Sequence, residues 1–325
     1  MIYIIMLIVF ILGYIAIALE HPIKVDKAAS ALIIGALGWA LFAFSGMEHH
    51  HVSEELKHHL VDIAEILFFL LGAMTIVELI DVHEGFSVIT DKIVTRNRVK
   101  LMWILCVITF FFSAVLDNLT TSIVMAALIS KLIKDKNDLW MFAGMIIVSA
   151  NAGGAWSPIG DVTTIMLWIG GQVTAANIIT SIIIPSIVCL IVPLTYISFK
   201  MKGELAPHQI EENKESTLKV SNSERNLVFT LGVLGLLFVP VFKTVTHLPP
   251  YLGILFSLGV LWLVTEILHA KKSTELRSKL SVIAVIKKVD IATIFFFMGI
   301  LLAVASLQSM GHLDDLAVIL DNTFN

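Results

Sequence analysis

The sequence predicts an all-α polytopic membrane protein, and three observations carry that expectation. Of 325 residues, 57% are apolar and 15% charged, with a mean hydropathy of +0.90; a soluble domain carries about a quarter of its residues as charges. The apolar residues gather in runs such as 1–19 and 178–196, close to the ~20 residues that cross a hydrocarbon core of roughly 30 Å, and shorter ones such as 107–116. Short polar linkers separate the runs, and there is no low-complexity tract or long soluble domain. Helix is the expected form, because in lipid a helix satisfies its own backbone polar groups and an open strand does not.

The apolar segments lie at 2–19, 28–46, 61–80, 100–116, 118–133, 139–171, 177–199, 226–243, 250–268 and 289–307. The polar linkers are 20–27, 48–59, 82–100, 131–138, 200–225 and 270–288. The first run has no basic residue before it and no small-residue cleavage site, which reads as a retained span. Cys106 and Cys189 both fall inside apolar runs and carry no compartment information.

Lys and Arg set the sides. They cluster at Lys92, Arg96, Arg98 and Lys100; at Lys131, Lys134 and Lys136; at Lys200, Lys202, Lys214, Lys219 and Arg225; and through Lys271, Lys272, Arg277, Lys279, Lys287 and Lys288. The positive-inside rule places all four loops in the cytoplasm. Segments 100–116 and 118–133 must then leave and return to one side, as two spans or a re-entrant hairpin. Segment 139–171 must cross once although Gly153, Gly154, Pro158 and Gly160 interrupt it, which predicts a discontinuous helix with unwound chain between two arms.

Val61-Asp62-Ile63-Ala64 and the apolar stretch after it match Val289-Asp290-Ile291-Ala292 and its continuation, with a one-residue slip at Gly72 against Gly299. The loop count runs the first inward and the second outward. That pattern predicts an inverted-repeat transporter: N-terminal spans at 1–60, a first repeat at 61–199 (hairpin 99–133, broken helix 139–171), a cytoplasmic loop at 200–225, and the start of a second repeat at 226–325. On this reading the chain is C-terminally incomplete.

Charge in a span is costly and is a functional candidate by default. Asp117, Asn118, Thr120 and Thr121, with Ser113 and Ser122 on either side, sit between two apolar arms; a carboxylate, an amide and hydroxyls suit a hard cation, although Asp-Asn is also ordinary turn chemistry. Ser149, Asn151, Gly153, Gly154, Ser157, Pro158, Gly160, Asp161 and Thr164 form the second cluster. Its glycines permit unusual dihedrals and close approach, and Pro158 frees a carbonyl above it. Asp161 precedes a helical arm, so helix cap and site residue are both open to it. Ser149 and Asn151, inside a helix, read as ligands, together with Asn118, Thr121 and Ser157, and Thr120 and Thr164 are counted among the ion- or proton-binding residues. Glu78 reads as reaching the cytoplasmic surface, Asp62 and Glu65 as interfacial, and Glu20 as a boundary residue. His49, His50, His51, His58 and His59 share an expected extramembrane loop with Glu48, Glu54 and Glu55; a solvated loop is the expectation, ahead of a metal or pH-sensing role.

The motifs Leu116-Asp117-Asn118-Leu119-Thr120-Thr121-Ser122 and Ser149-Ala150-Asn151-Ala152-Gly153-Gly154-Ala155-Trp156-Ser157-Pro158-Ile159-Gly160-Asp161 resemble those of NhaD-type sodium/proton antiporters, within the superfamily that includes arsenite and dicarboxylate carriers. The resemblance runs through nearly the whole chain. It implies hairpin tips meeting unwound helices around the ion, and a second Asp-Asn motif in the C-terminal repeat, which Asp321-Asn322 does not match. It also implies exchange of Na⁺ (or Li⁺) for H⁺ at an inner, plasma membrane. Na⁺ is expected at Asp117, Asn118 and Asn151, with Asp117 the first and Asp161 the second choice for the carboxylate that proton and cation share.

A carboxyl group out of water favours its neutral form, so a proton is held until Na⁺ and its oxygen ligands displace it. The alternatives are an anion carrier of the same superfamily (arsenite, or a carboxylate with Na⁺) and, remotely, an intramembrane aspartyl protease using Asp117 and Asp161. Position 158 is Pro and no Tyr precedes Asp117, against the protease. The reading is of a transporter and not an enzyme, with no cofactor beyond the transported ions and the lipid bilayer as its setting. It is compatible with a homodimer and includes no nucleic-acid partner, there being no phosphate-cradling Gly-Lys loop.

Overall fold

The structure is a computed structural model that describes residues 1–90, 95, 97–133, 135–201, 203–204, 220–270 and 272–324. The described residues form helices α1 (Ile2–Ala18), α2 (Glu20–Ile23), α3 (Lys27–Ala43), α4 (His49–Val82), α5 (Ser87–Thr90), α6 (Arg98–Leu116), α7 (Asn118–Leu132) and α8 (Lys136–Ala155). They continue as α9 (Val162–Ile169), α10 (Ala175–Lys200), α11 (Asn222–Thr246), α12 (Pro250–His269), α13 (Thr274–Leu280), α14 (Val282–Ile286), α15 (Ile291–Ser309) and α16 (His312–Phe324). Six of these, α4, α6, α10, α11, α12 and α15, are long and apolar enough to cross a membrane by length and composition, and α1, α3 and α7 are shorter apolar helices. Large apolar side chains such as Ile184, Val192, Leu263 and Ile267 are exposed along the long helices, as lipid-facing positions require.

Every apolar segment expected from the sequence is helical, and 139–171 is broken as predicted, into α8 and α9 with a non-helical stretch between them. One expectation is overturned. The linker expected at 48–59 is helical and continuous with the span after it, as α4. It contains no Gly or Pro, and Glu54, Glu55, Leu56 and Lys57 are good helix formers, so polarity alone does not interrupt the helix. His59 and Glu55 face Ser309 from this segment, each at 3.1 Å.

The chain divides into two compact units, 1–71 with 290–325, and 72–289. In the first unit α3 and α15 pack backbone to backbone. A Cβ on Gly299 would lie 2.5 Å from the Leu32 nitrogen, and one on Gly35 2.7 Å from the Gly299 carbonyl oxygen. Trp39 Nε1 donates to the Leu302 carbonyl at 3.0 Å across the same seam. The two matched stretches of sequence take different local roles: Asp290 caps α15, accepting from the Thr293 amide, whereas Asp62 lies within α4.

The second unit orders its helix ends. Arg98, opening α6, pairs with Asp138, opening α8, so α6 and α7 leave and return to the same end. The Arg98 amide bonds the Gly203 carbonyl beyond α10. Arg225, near the start of α11, donates to Ser87 at 2.8 Å, and Lys272 bonds Glu224 at 2.7 Å. Described parts of all four basic loops therefore meet at one end, the arrangement the positive-inside rule asks for. Lys92, Arg96, Lys134, Lys202, Lys214, Lys219 and Lys271 lie outside the described residues. Glu78 approaches Lys288 at 3.9 Å near this end. α8 starts and α10 ends at this end of the unit.

Gly299→Ala should force α3 from α15 and cost about 1–3 kcal/mol, the usual range for overpacking. Thermal unfolding of the purified protein in detergent measures it.

Candidate functional site

The candidate site lies within the second unit, where the α6–α7 turn meets the break between α8 and α9. α6 and α8 start together and run side by side, so their far ends coincide. Three glycines make that meeting close. A Cβ on Gly153 would overlap the Phe110 carbonyl, one on Gly154 would overlap the Gly160 carbonyl, and one on Gly160 would lie 2.5 Å from the Ser113 carbonyl oxygen. Two hydroxyls stitch the contact, Ser113 to the Ala150 carbonyl and Ser157 to the Ala114 carbonyl. The Ser157 oxygen also accepts from the Ile159 amide at 3.3 Å. Trp156 stacks on Phe110 at 6.0 Å between ring centroids. Its indole N–H is buried with no hydrogen-bond partner among the described residues.

The turn itself is a single residue. Asp117 ends α6 and caps α7 with φ 81° and ψ 157°, a region almost confined to glycine and costing about 1–3 kcal/mol for other residues. Its carboxylate offsets part of that cost by accepting from the Thr120 amide at 2.8 Å and the Thr120 hydroxyl at 2.7 Å, an N-cap worth about 1 kcal/mol. Asn118 follows and carries the central contact. Its Nδ2 donates to Asn151 Oδ1 at 3.1 Å and to the Asp161 carboxylate. One amide thus joins the hairpin turn to both arms of the broken helix.

Asp161 caps a helix, as one of its two readings expected, and also reaches the hairpin turn. One oxygen caps α9 by accepting from the Thr163 amide at 2.8 Å, and the other accepts from Asn118. Thr164 bonds the Asp161 carbonyl at 2.8 Å. α9 runs about 12 Å from this point at 1.5 Å per residue over its eight residues.

Asn118, Asn151, Asp161 and Thr164 are therefore joined in one run of polar groups, and the Asp117–Thr120 pair adjoins it through the chain at Asn118. Thr121 stands one turn into α7 with its hydroxyl buried and without a hydrogen-bond partner among the described residues. Ser149 is placed differently: it bonds the Met145 carbonyl of its own helix at 2.7 Å, the back-bonding common for buried serine. Ser157 holds the break against α6. Sequence reading left three contributors unassigned: Ser113, Trp156 and Lys243. Trp156 sits inside a quoted motif, and Ser113 flanks the Asp117 cluster. The signal for Lys243 was a lysine at the edge of an apolar run; it donates to the Trp168 carbonyl at 2.6 Å.

These features define a multi-pass, all-helical membrane protein built around an interrupted helix with acids and amides at the break. A family model described as a citrate transporter matches residues 3–324, and the chain belongs to that citrate-transporter (CitMHS) family. Two relatives from Arabidopsis thaliana are named Sodium/proton antiporter 1, 40% identical and covering 97% of this chain and 54% of its own length, and Sodium/proton antiporter 2, 38% identical and covering 97% and 74%. The Na⁺/H⁺ antiporter NhaD of Vibrio cholerae is 26% identical, covering 98% of this chain and 71% of its own length. The chain spans about half the length of the first of these relatives.

The backbone at Asp117 gives a test. Asp117→Ala loses the cap and keeps the unfavourable φ, whereas Asp117→Gly loses the cap and sheds that cost. The glycine variant should be the more stable of the two by about 1–2 kcal/mol, the left-handed penalty of an L residue, in chemical or thermal unfolding.

Proposed function

We propose that the protein exchanges Na⁺ (or Li⁺) for H⁺ across an inner, plasma membrane by competition at the hairpin–break junction. The observation that carries the proposal is Asn118 donating at once to Asn151 and Asp161, which gathers acid, amide and hydroxyl oxygens from α7, α8 and the start of α9. The oxygens of Asp117, Asp161, Asn151, Asn118, Thr120 and Thr121 are hard donors of the kind Na⁺ takes. Asp117 remains the first choice and Asp161 the second for the carboxylate that proton and cation share, and Na⁺ is assigned to Asp117, Asn118 and Asn151. Ser149, Ser157 and Thr164 support the site through backbone bonds. Asp117 is a carboxylate kept where its backbone favours glycine, and strain of this kind gathers at functional positions.

The printed names of the relatives support the same cation exchange. The family description names a citrate carrier. A tricarboxylate would need cationic groups where this site presents Asp117 and Asp161, so the acids favour cation transport. In the absence of Na⁺ a site acid holds the proton. Na⁺ arriving with several oxygens favours the ionised form, and the proton leaves. Alternating exposure of the junction to the two sides then yields exchange. α7 has 15 residues, about 22 Å at 1.5 Å per residue, which supports a re-entrant hairpin. The inverted repeat is retained as part of this proposal.

Inverted vesicles from antiporter-deficient cells that carry the protein should lose a preformed pH gradient on addition of Na⁺ or Li⁺. Asp117→Asn should abolish the response at equal protein level. Absence of any response from the unaltered protein contradicts the function; a normal rate from Asp117→Asn contradicts the assignment.

A further inference from the structure

α9 is a helix of eight residues, too short to hold its shape alone, and its position is fixed at its two ends. At the N-terminus Asp161 caps it and reaches Asn118. At the other end Lys243 of α11 crosses to it: the ammonium donates to the Trp168 carbonyl at 2.6 Å and lies 4.5 Å from the centroid of the Trp168 ring. The last carbonyls of a helix carry partial negative charge; that of Trp168 accepts from the Gly171 amide at 3.3 Å and has a second lone pair for the ammonium. The indole face adds a cation–π contact, while Trp168 itself is 3% exposed and Ile165 1% exposed.

The direction of Lys243 is informative. It lies near the C-terminal end of α11, close after Pro240 and before Thr246, at the end of the unit opposite the basic loops. A lysine near a span end ordinarily extends its ammonium to the interface. This one turns onto the arm that carries Asp161. With Lys243 on its last turn and Asp161 on Asn118, α9 is held from both ends, so the position of one end bears on the other. The Gly154–Gly160 contact at the break leaves no room for an independent correction, since a single carbon added there overlaps backbone.

We infer that Lys243 is a positioning residue for ion binding: it anchors the C-terminal end of α9 so that Asp161 meets Asn118 at the site. It touches neither transported ion and acts through α9. The inference rests on the exchange proposed above. Lys243→Arg keeps a cationic donor for the carbonyl, Lys243→Gln keeps a donor without charge, and Lys243→Met removes both.

The test is Na⁺-dependent collapse of a pH gradient in inverted vesicles, read as the Na⁺ concentration for half-maximal response and, separately, as maximal rate per unit of inserted protein. Lys243→Met should raise the half-maximal Na⁺ concentration by about tenfold, the equivalent of one charge-assisted hydrogen bond, with the maximal rate kept within about twofold. Lys243→Gln should fall between it and the unaltered protein, and Lys243→Arg should restore the original value. A half-maximal concentration unchanged in Lys243→Met overturns the inference. So does a loss confined to the amount of inserted protein and shared equally by the Arg variant. If Lys243→Met does not insert, Lys243→Gln decides: an unshifted value overturns the inference, and a raised value supports it. Vesicles of the unaltered protein that ignore Na⁺ overturn the exchange proposal instead, and this inference with it.

Discussion

The candidate site depends on one contact, the meeting of the end of α6 with the chain between α8 and α9. Backbone lies against backbone there because Gly153, Gly154 and Gly160 carry no side chains, and each added carbon would run into the Phe110, Gly160 or Ser113 carbonyl. Ser113 and Ser157 hold the contact with bonds to carbonyls of the opposite strand of chain. Once that contact is made, the turn after α6 falls beside the start of α9, and Asn118 can reach both Asn151 and Asp161. Larger residues at the glycines would separate the two clusters, and the acids would lose their shared neighbour.

The second feature is an unfavourable conformation at Asp117. A glycine would satisfy the backbone at φ 81°, and a non-acidic capping residue would serve α7. A carboxylate in that place meets both demands less economically than a pair of simpler residues, and it adds a negative group within the helical unit. The bonds its carboxylate accepts from Thr120 recover part of the cost and fix the direction of the acid. Structural economy does not explain the choice; the proposed exchange would, because it needs an acid at this place.

Much of this was legible in the sequence. Apolar runs marked every span because lipid requires continuous apolar length, and Gly153 to Gly160 marked the break because only such residues interrupt a helix at that spacing. The basic clusters marked the end at which Arg98, Asp138, Arg225 and Lys272 meet. What the sequence could not show is side-chain direction. The sequence gives no sign that the Ser149 hydroxyl donates to Met145 of its own helix or that Ser157 donates to Ala114 across the break. Segment 48–59 read as a loop from its charge, yet nothing in it stops a helix, and α4 runs through it. Asp161 was balanced between cap and site because both roles need the same residue at a helix start, and only the placement of Asn118 separates its two oxygens. Lys243 was hidden at the edge of an apolar run, where a lysine is usually interfacial; its turn onto α9 is a tertiary fact.

The central claim is that proton and cation compete for one set of oxygens at this junction. The purified protein in detergent and weak buffer tests it most directly, by following proton release with a pH indicator as NaCl is added, with choline chloride as the control. The account predicts release of about one proton per Na⁺ bound, because a shared carboxylate cannot hold both, and no release with choline. Saturable Na⁺ binding with no proton released would contradict it.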